Sequence, residues 1–248
     1  MTLAALPLPT RRDEAFRYSD VNALAGVWPV AVESITIAAG LEWSSAIVNT
    51  APTDDVFVRH LAITLEPGAR GRLQILNAGG RLGRIVVDVT CHAHSDFALS
   101  AVQLGSNNQT VELVTTITHA QPGATSNQQV RSVLGGAATG TYLGKVAVAR
   151  DAQGTDSEQS VKAMLLDRTA TANAKPELEI YADDVKCAHG CAVGELDQDA
   201  LFYLAARGLS PSDAKSLLLQ AFIASVFDGA EDEEMLTATA LAKLGEMV

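Results

Sequence analysis

The sequence is poor in the residues that several large classes of protein require. Aromatic residues make up only 5% of the chain, and 18 Lys and Arg face 29 Asp and Glu, giving a net charge of −11. General binding of nucleic-acid phosphates needs clustered basic residues, so we expect no nucleic-acid partner. No apolar run is long enough to cross a membrane as a helix, so we expect no membrane partner.

Cysteine is also scarce. The three cysteines form an odd number without the spacing of a disulfide scaffold. The first 20 residues contain an apolar stretch that is too short and too interrupted by proline for a secretory signal peptide. These features predict a location in a reducing cytoplasm.

Common catalytic motifs are absent from the sequence. It has no G-x-S-x-G elbow, no P-loop, no G-x-G-x-x-G dinucleotide loop and no H-E-x-x-H helix. Asp183 and Asp184 are adjacent, so in a strand they face opposite ways and do not form the carboxylate pair of a glycosidase. ATP binding by this chain itself therefore has no support.

Short runs with an apolar residue at every second position fill the region from residue 33 to residue 193. Examples are VFVRHLAITLE from residue 56 and TVELVTTITH from residue 110, and turn residues end most runs. This alternation predicts strands. No amphipathic helix pattern separates them, which leaves a sandwich, a barrel or a β-solenoid. The scarcity of large rings favours the solenoid, and Asn–Gly clusters at 77–80 and 105–108 suit its corners.

The period becomes helical after Gly194. Asp197 is placed to cap a first helix, and Ser210 with Pro211 begins a second. The predicted apolar stripe of that second helix is Ala214, Leu217, Leu218, Ala221, Phe222 and Val226. A third helix runs towards Met247. The chain is thus predicted to have a lead-in segment (1–32), a β core (33–193) and a C-terminal helical subdomain (194–248).

Two sets of residues could bind a metal. Cys187, His189 and Cys191 occupy alternate positions, so one strand face could present all three soft ligands to iron, zinc, copper or an iron–sulfur cluster. Gly190 could turn the chain within this set, and a buried Cys187 could instead pack as a small apolar residue.

The second set is Cys91, His92 and His94. His92 and His94 are predicted to share a strand face, with Cys91 on the other face. Two ligands do not make a site, and such histidines more often lie on a solvated face.

Two segments around the first set resemble the SufB/SufD family of iron–sulfur cluster assembly proteins: PELEIYADDVKCAHG at 176–190 and VGELDQDALFYLAARGLS at 193–210. Gly144–Lys145–Val146, Thr155–Asp156 and Gln159–Ser160 precede them in the order of the family motif. The lead-in from Arg12 to Asp20 also resembles a motif of longer members. The Cys-x-His pattern is that of D-type members, of which this chain would be a short variant.

The resemblance implies a right-handed parallel β-helix with a helical subdomain. It implies a non-enzymatic scaffold subunit that pairs with a SufB-type subunit and docks a SufC-type ATPase. Cys187 and His189 would form half of an interface site for iron or a nascent iron–sulfur cluster, held transiently and shared with the partner. Cys191 stands where alanine is usual, and it would either extend the ligand set or fill a small pocket. The ATPase-docking helices would use Asp199, Phe202, Tyr203, Arg207, Gly208, Ser210, Leu217 and Phe222.

Two alternatives stay open at this point. One is a secreted-type, carbohydrate-active β-helix enzyme, and the other is a metal-free homodimeric structural homologue.

Overall fold

The computed structural model describes residues 7–248, so the first six residues of the predicted lead-in lie outside the described residues. Its centre is a stack of turns that alternate between two six-stranded parallel sheets. The first sheet contains β1 (Val32–Ile37), β3 (Val56–Leu65), β5 (Leu82–Cys91), β7 (Thr110–His119), β9 (Thr139–Val148) and β11 (Thr171–Ile180). The second contains β2 (Glu42–Asn49), β4 (Arg70–Asn77), β6 (Asp96–Gly105), β8 (Thr125–Leu134), β10 (Asp156–Leu165) and β12 (Lys186–Gly194).

Every strand pairs in parallel with the strand two positions along the chain, in its own sheet. This confirms the predicted solenoid and excludes the sandwich and the barrel. No fixed repeat is visible in the sequence because the corners differ in length. The turn from Val56 to its partner Leu82 is shorter than the turn from Thr139 to its partner Thr171.

Alternate residues of each strand face the interior between the sheets, and most of them are aliphatic. Residues such as Ile63, Ile75 and Ile85 are fully or almost fully buried, and few rings are needed. Phe97 and Tyr142 are the largest of the fully buried side chains there. The narrow interior therefore explains the low aromatic content.

Asparagine has the corner role that the sequence indicates. The amide nitrogen of Asn49 donates to Oδ1 of Asn77 at 2.8 Å, and Asn77 Nδ2 donates to the carbonyl oxygen of Gly83 at 2.8 Å. At the next such corner Asn107 has a φ of 53°, in the left-handed region that asparagine tolerates. Stacked amides and a left-handed turn thus close these corners.

Three helices follow the solenoid: α2 (Gln198–Ala206), α3 (Pro211–Ile223) and α4 (Glu233–Gly245). Asp197 caps α2 and Ser210 caps α3, as predicted. Helices α3 and α4 cover the outer face of the second sheet. Their apolar residues form one buried cluster with outward-facing residues of β4, β6 and β8: Leu76, Val102, Leu104, Val133, Leu219, Ile223, Leu236 and Leu244.

The predicted stripe of α3 is partly wrong. Leu217 is exposed, whereas Leu219 and Ile223 are buried. The outward apolar patch of the second sheet determines which side of the helix is buried, and that patch cannot be recognised from the helix sequence alone. Phe222 lies partly buried at the edge of the same cluster.

The segment before β1 covers part of the outer face of the first sheet. It contains a short 3₁₀ turn (Glu14–Phe16) and a helix, α1 (Val21–Leu24). Beneath it Arg84 and Glu112 form a buried ion pair. The Phe16 ring lies 4.2 Å from the Arg84 guanidinium carbon, and the Ser19 hydroxyl donates to Glu112 at 3.0 Å.

Replacing Arg84 with Met should destabilise the fold by about 3–5 kcal/mol, because it leaves the Glu112 carboxylate buried without its cation. Urea unfolding followed by circular dichroism measures the loss. The double variant Arg84→Met/Glu112→Leu should recover most of it. An unchanged midpoint for the single variant would show that the pair contributes little.

Candidate functional site

Strand β12 carries the first predicted ligand set and forms the last rung of the second sheet. Within the described chain it pairs with β10 alone, and β11 likewise pairs with β9 alone. Cys187, His189 and Cys191 lie beside Ser157, Gln159 and Val161 of β10, which are buried inward-facing residues. These three residues, hereafter the ligand row, therefore continue the interior face at the open downstream end.

The ligand row shares one face because β12 runs without a break through Gly190. The three side chains do not converge on one ion, however. At about 3.3 Å per residue, Cys187 and Cys191 are about 13 Å apart along the strand. A metal–sulfur bond of about 2.3 Å cannot span that gap from both ends. Accordingly, residues 7–248 contain no cluster of three or more His, Cys, Asp or Glu side chains arranged to hold a metal.

The three side chains of the row lie in different environments. Cys187 is half-buried against the core, whereas His189 and Cys191 are exposed. Burial, and secondarily the charge of Asp156, raises the pKa of the Cys187 thiol. The Cys187 thiol therefore favours its protonated, neutral form unless a bound cation compensates the charge of the thiolate. His189 is two residues, or about 6.6 Å along the strand, from each of the two cysteines. The row could therefore offer His189 and one cysteine to one ion, whose other coordination positions would stay open.

A buried polar cluster lies directly beneath the ligand row, and sequence reasoning missed it. It consists of Thr115, Gln128, Tyr142 and Gln159, which face the interior. The Tyr142 hydroxyl donates to Gln128 Oε1 at 3.1 Å and accepts from Gln159 Nε2 at 3.2 Å. The signal was present in the sequence, because both glutamines occupy inward positions of otherwise alternating strands.

A second polar chain runs beside this cluster. Ser157 contacts Ser126 through their hydroxyls at 2.8 Å, and Ser126 Oγ lies 2.9 Å from Nε2 of His119. Burial lowers the pKa of His119 to about 4, so its ring is neutral at pH 7. Polar groups are thus concentrated in the last three rungs of the interior, beside aliphatic residues such as Val130 and Val161.

The second predicted ligand set has a different geometry from the one expected. Cys91 ends β5 and is fully buried, and burial raises the pKa of its thiol to about 12. His92 and His94 do not share a strand face, because both lie in the corner after β5. His94 has a φ of 56°, and its ring packs against Gly123 of the next turn. A left-handed histidine is uncommon, which is why the alternation predicted a longer strand.

The residues predicted for ATPase docking lie on and between α2 and α3. Helix α2 has no buried residue, and Phe202 is 76% exposed. Tyr203 is exposed beside Arg207, whose guanidinium carbon lies 5.2 Å from the ring. Gly208 ends the connection with a φ of 93°. The remaining four residues are spread along this unit: Asp199 in the first turn of α2, Ser210 at the cap of α3, Leu217 on its exposed side and the partly buried Phe222 near its end.

Among the helices in residues 7–248, none has the length and apolarity needed to cross a bilayer.

The two sheets define a parallel β-solenoid protein, and within the described chain the predicted ligand row lies on a strand with an unpaired edge. Residues 25–222 match the family model described as "SUF system FeS cluster assembly, SufBD core domain". This match covers well over half of the chain, and the chain therefore belongs to the SufBD family.

Three curated relatives agree with this assignment. The iron–sulfur cluster assembly protein SufD of Escherichia coli is 31% identical over 62% of this chain and 36% of its own length. The SufBD family protein slr0076 of Synechocystis is 32% identical over 71% of this chain and 39% of its own. Protein ABCI7, chloroplastic, of Arabidopsis thaliana is 34% identical over 64% and 34%. The chain thus spans little more than a third of the length of these relatives.

The buried His119 should make stability depend on pH. The unfolded chain binds a proton at this residue near pH 6.5, whereas the folded chain binds it only near pH 4. Stability should therefore fall by about 1 kcal/mol between pH 7.5 and pH 5.5 on account of this residue. Urea unfolding of His119→Gln across that range should show a correspondingly flatter profile.

The matched control for this prediction is His94→Asn, which changes an exposed side chain and keeps a residue that accepts the left-handed corner. It should retain the wild-type slope. A wild-type slope in His119→Gln would contradict the assignment.

Proposed function

We propose that the chain is a non-enzymatic scaffold subunit of the SUF iron–sulfur cluster assembly complex. In this proposal it pairs with a SufB-type subunit, docks a SufC-type ATPase and supports iron entry and nascent cluster formation at the shared interface. The single observation that carries the proposal is the ligand row on the terminal rung. Its soft ligands stand at a sheet edge that a partner strand could extend.

The open end supports pairing with another solenoid. The downstream edges of β11 and β12 have no partner strand within the described chain. Their inner faces expose apolar residues such as Ile180 and Val193. Unpaired edges of this kind invite the addition of further strands. A partner that continued both sheets would satisfy the backbone groups and cover these residues.

The two ends of the solenoid differ in a way that favours the downstream end as the interface. The upstream edge carries ion pairs between Glu33 and Arg59 and between Glu42 and Arg70. Charged residues at an edge discourage strand addition. The downstream edge strand β11 also carries ion pairs, such as that of Glu179 with Lys145, but they lie on its outer face, and the inner positions of β12 hold cysteine, histidine and valine.

The ligand row fits iron or an iron–sulfur cluster as a transient cargo. Thiolate and imidazole ligands both bind iron–sulfur clusters, and a closed cluster needs about four ligands. Cys187 and His189 would supply two of them, and Cys191 would be an additional ligand for a cargo displaced along the strand. The remaining ligands would come from the partner.

Helix α2 supports the docking of an ATPase. Its aromatic residues Phe202 and Tyr203 are exposed, and exposed aromatic clusters mark interaction surfaces. Arginine beside an aromatic ring is also typical of energetically important interface residues. We assign this surface to a SufC-type ATPase because the family resemblance places its dock in this helical unit.

Two other interpretations have less support. A carbohydrate-active enzyme would need a pair of carboxylates that face each other across a substrate, and the pair that the sequence suggested, Asp183 and Asp184, are consecutive residues of the exposed corner before β12. A homodimer could use the same downstream edges as a SufB-type partner, and the experiment below distinguishes the two.

Cys187→Ala and His189→Ala should each reduce the cluster recovered on the complex to a small fraction of the wild-type amount, because each removes a ligand from an already incomplete set. Cys191→Ala should have a smaller effect. The measurement is iron and sulfide analysis after anaerobic reconstitution of the complex purified from its native cell, with circular dichroism as the control for folding.

Normal cluster yield in both Cys187→Ala and His189→Ala would refute the cluster role. Purification of the chain only with copies of itself would favour the homodimer.

Phe202→Asp should abolish co-purification of the ATPase, since a charge would replace a central apolar contact. Loss of an aromatic anchor at an interface costs about 2 kcal/mol or more, which corresponds to roughly thirtyfold weaker binding. Leu41→Asp is the control, because Leu41 is also exposed but lies at the upstream end. Equal capture of the ATPase by Phe202→Asp and wild type would overturn the assignment of this surface.

A further inference from the structure

We propose that Gln159 is the positioning residue for His189. When one ring nitrogen of His189 binds metal, the N–H of the other ring nitrogen donates to the side-chain oxygen of Gln159. This inference rests on the proposed metal role of the ligand row. It extends that role from the exposed ligands to the buried residue that would orient one of them.

The sheet register brings the two residues together. Gln159 and His189 are direct partners on the neighbouring strands β10 and β12. Adjacent strands are about 4.8 Å apart, and partner side chains on one face point the same way. Gln159 is therefore the side chain immediately beneath His189 in the interior row.

Gln159 is also held in place by the cluster beneath it. Its Nε2 donates to the Tyr142 hydroxyl at 3.2 Å, and Tyr142 is anchored in turn by Gln128 at 3.1 Å. The whole Gln159 side chain is buried. One end of the amide is thus committed to the interior.

The other end of the amide is uncommitted. Gln159 Oε1 is buried and has no hydrogen-bond partner among the described residues. A buried acceptor without a partner costs free energy, so its retention calls for an explanation. The explanation that we propose is a donor that reaches Gln159 Oε1 only when metal is bound. The ring N–H of His189, the register partner of Gln159, is such a donor.

Metal chemistry supplies the reason for such a contact. A histidine that binds metal through one ring nitrogen almost always donates the N–H of the other to a carbonyl, carboxylate or water. That hydrogen bond fixes the tautomer and the orientation of the ring. His189 is exposed on the last strand of its sheet. A hydrogen bond to the Gln159 oxygen would hold its ring across the downstream end of the solenoid interior, on the side of Cys187.

The test uses the full chain and Zn²⁺ as a diamagnetic substitute for iron. Competition with a chromophoric chelator measures affinity, and ¹⁵N-detected imidazole NMR reports the His189 ring N–H. In the wild type, Zn²⁺ should produce a ring N–H that exchanges slowly with water. Gln159→Met keeps the length of the side chain but removes the acceptor, so it should abolish this signal and weaken Zn²⁺ binding by about 10–100-fold.

Two further variants make the comparison specific. Gln159→Glu retains an acceptor and should keep both the slow ring N–H and most of the affinity. Gln103→Met removes another buried glutamine, on β6, whose amide contacts Ser132 of β8 and Thr141 of β9 rather than a residue paired with β12. It should leave both measurements unchanged.

The outcomes separate the two hypotheses. If His189→Ala weakens Zn²⁺ binding but Gln159→Met does not, the positioning role is wrong and the metal role stands. If His189→Ala binds Zn²⁺ as well as the wild type does, both are wrong. A His189 ring N–H that exchanges rapidly with water in the Zn²⁺-loaded wild type overturns the positioning role. This measurement needs no variant, so it decides the question even if Gln159→Met fails to fold.

Discussion

The structure depends on one constraint: each strand must pair in parallel with the strand one full turn away. Parallel pairing fixes the direction in which side chains point and carries the inner face from rung to rung. It also makes long-range hydrogen bonds the main connection between turns, while the corners between strands vary in length. Within the described residues, two strands at each end of the stack have an unpaired edge. The ligand row lies on such an edge, so the architecture that orders these residues is also what leaves their set open.

The interior changes character towards that edge. Upstream rungs are mainly aliphatic, with buried amides at Asn49, Asn77 and Gln103, whereas the last three rungs combine aliphatic residues with several hydroxyls, two glutamines and a neutral histidine. Burying polar groups gains little for stability even when they are paired, and it costs more when one atom such as Gln159 Oε1 lacks a partner. Of these polar groups, Ser157 and Gln159 are direct register partners of Cys187 and His189, and the others lie one or two rungs further in.

Much of the fold could be predicted from local patterns. Alternation of apolar residues, missing helix signals and scarce rings indicate a solenoid, and Asp197 and Ser210 mark where helices begin. Features that depend on distant residues could not be predicted in this way. The buried side of α3 is determined by Leu76, Val102 and Val133, and the corner at His94 breaks a strand that its sequence would continue. The alternation of residues predicted that the ligand row shares one face. It did not show that β12 continues without a break through Gly190, and this extended geometry is what keeps Cys187 and Cys191 too far apart to share an ion.

The short connection between β12 and α2 has a mechanical consequence. Strand β12 ends at Gly194 and the capping residue of α2 is Asp197, so only two residues separate them. Even fully extended, this tether reaches about 10 Å. A separation of α2 from Gly194 beyond that distance must pull on β12, which within the described chain pairs with β10 alone. The pull would separate β12 from β10 starting at Gly194, so Cys191 would lose its pairing before Cys187. The ligand row and helix α2 are therefore mechanically coupled through this short connection.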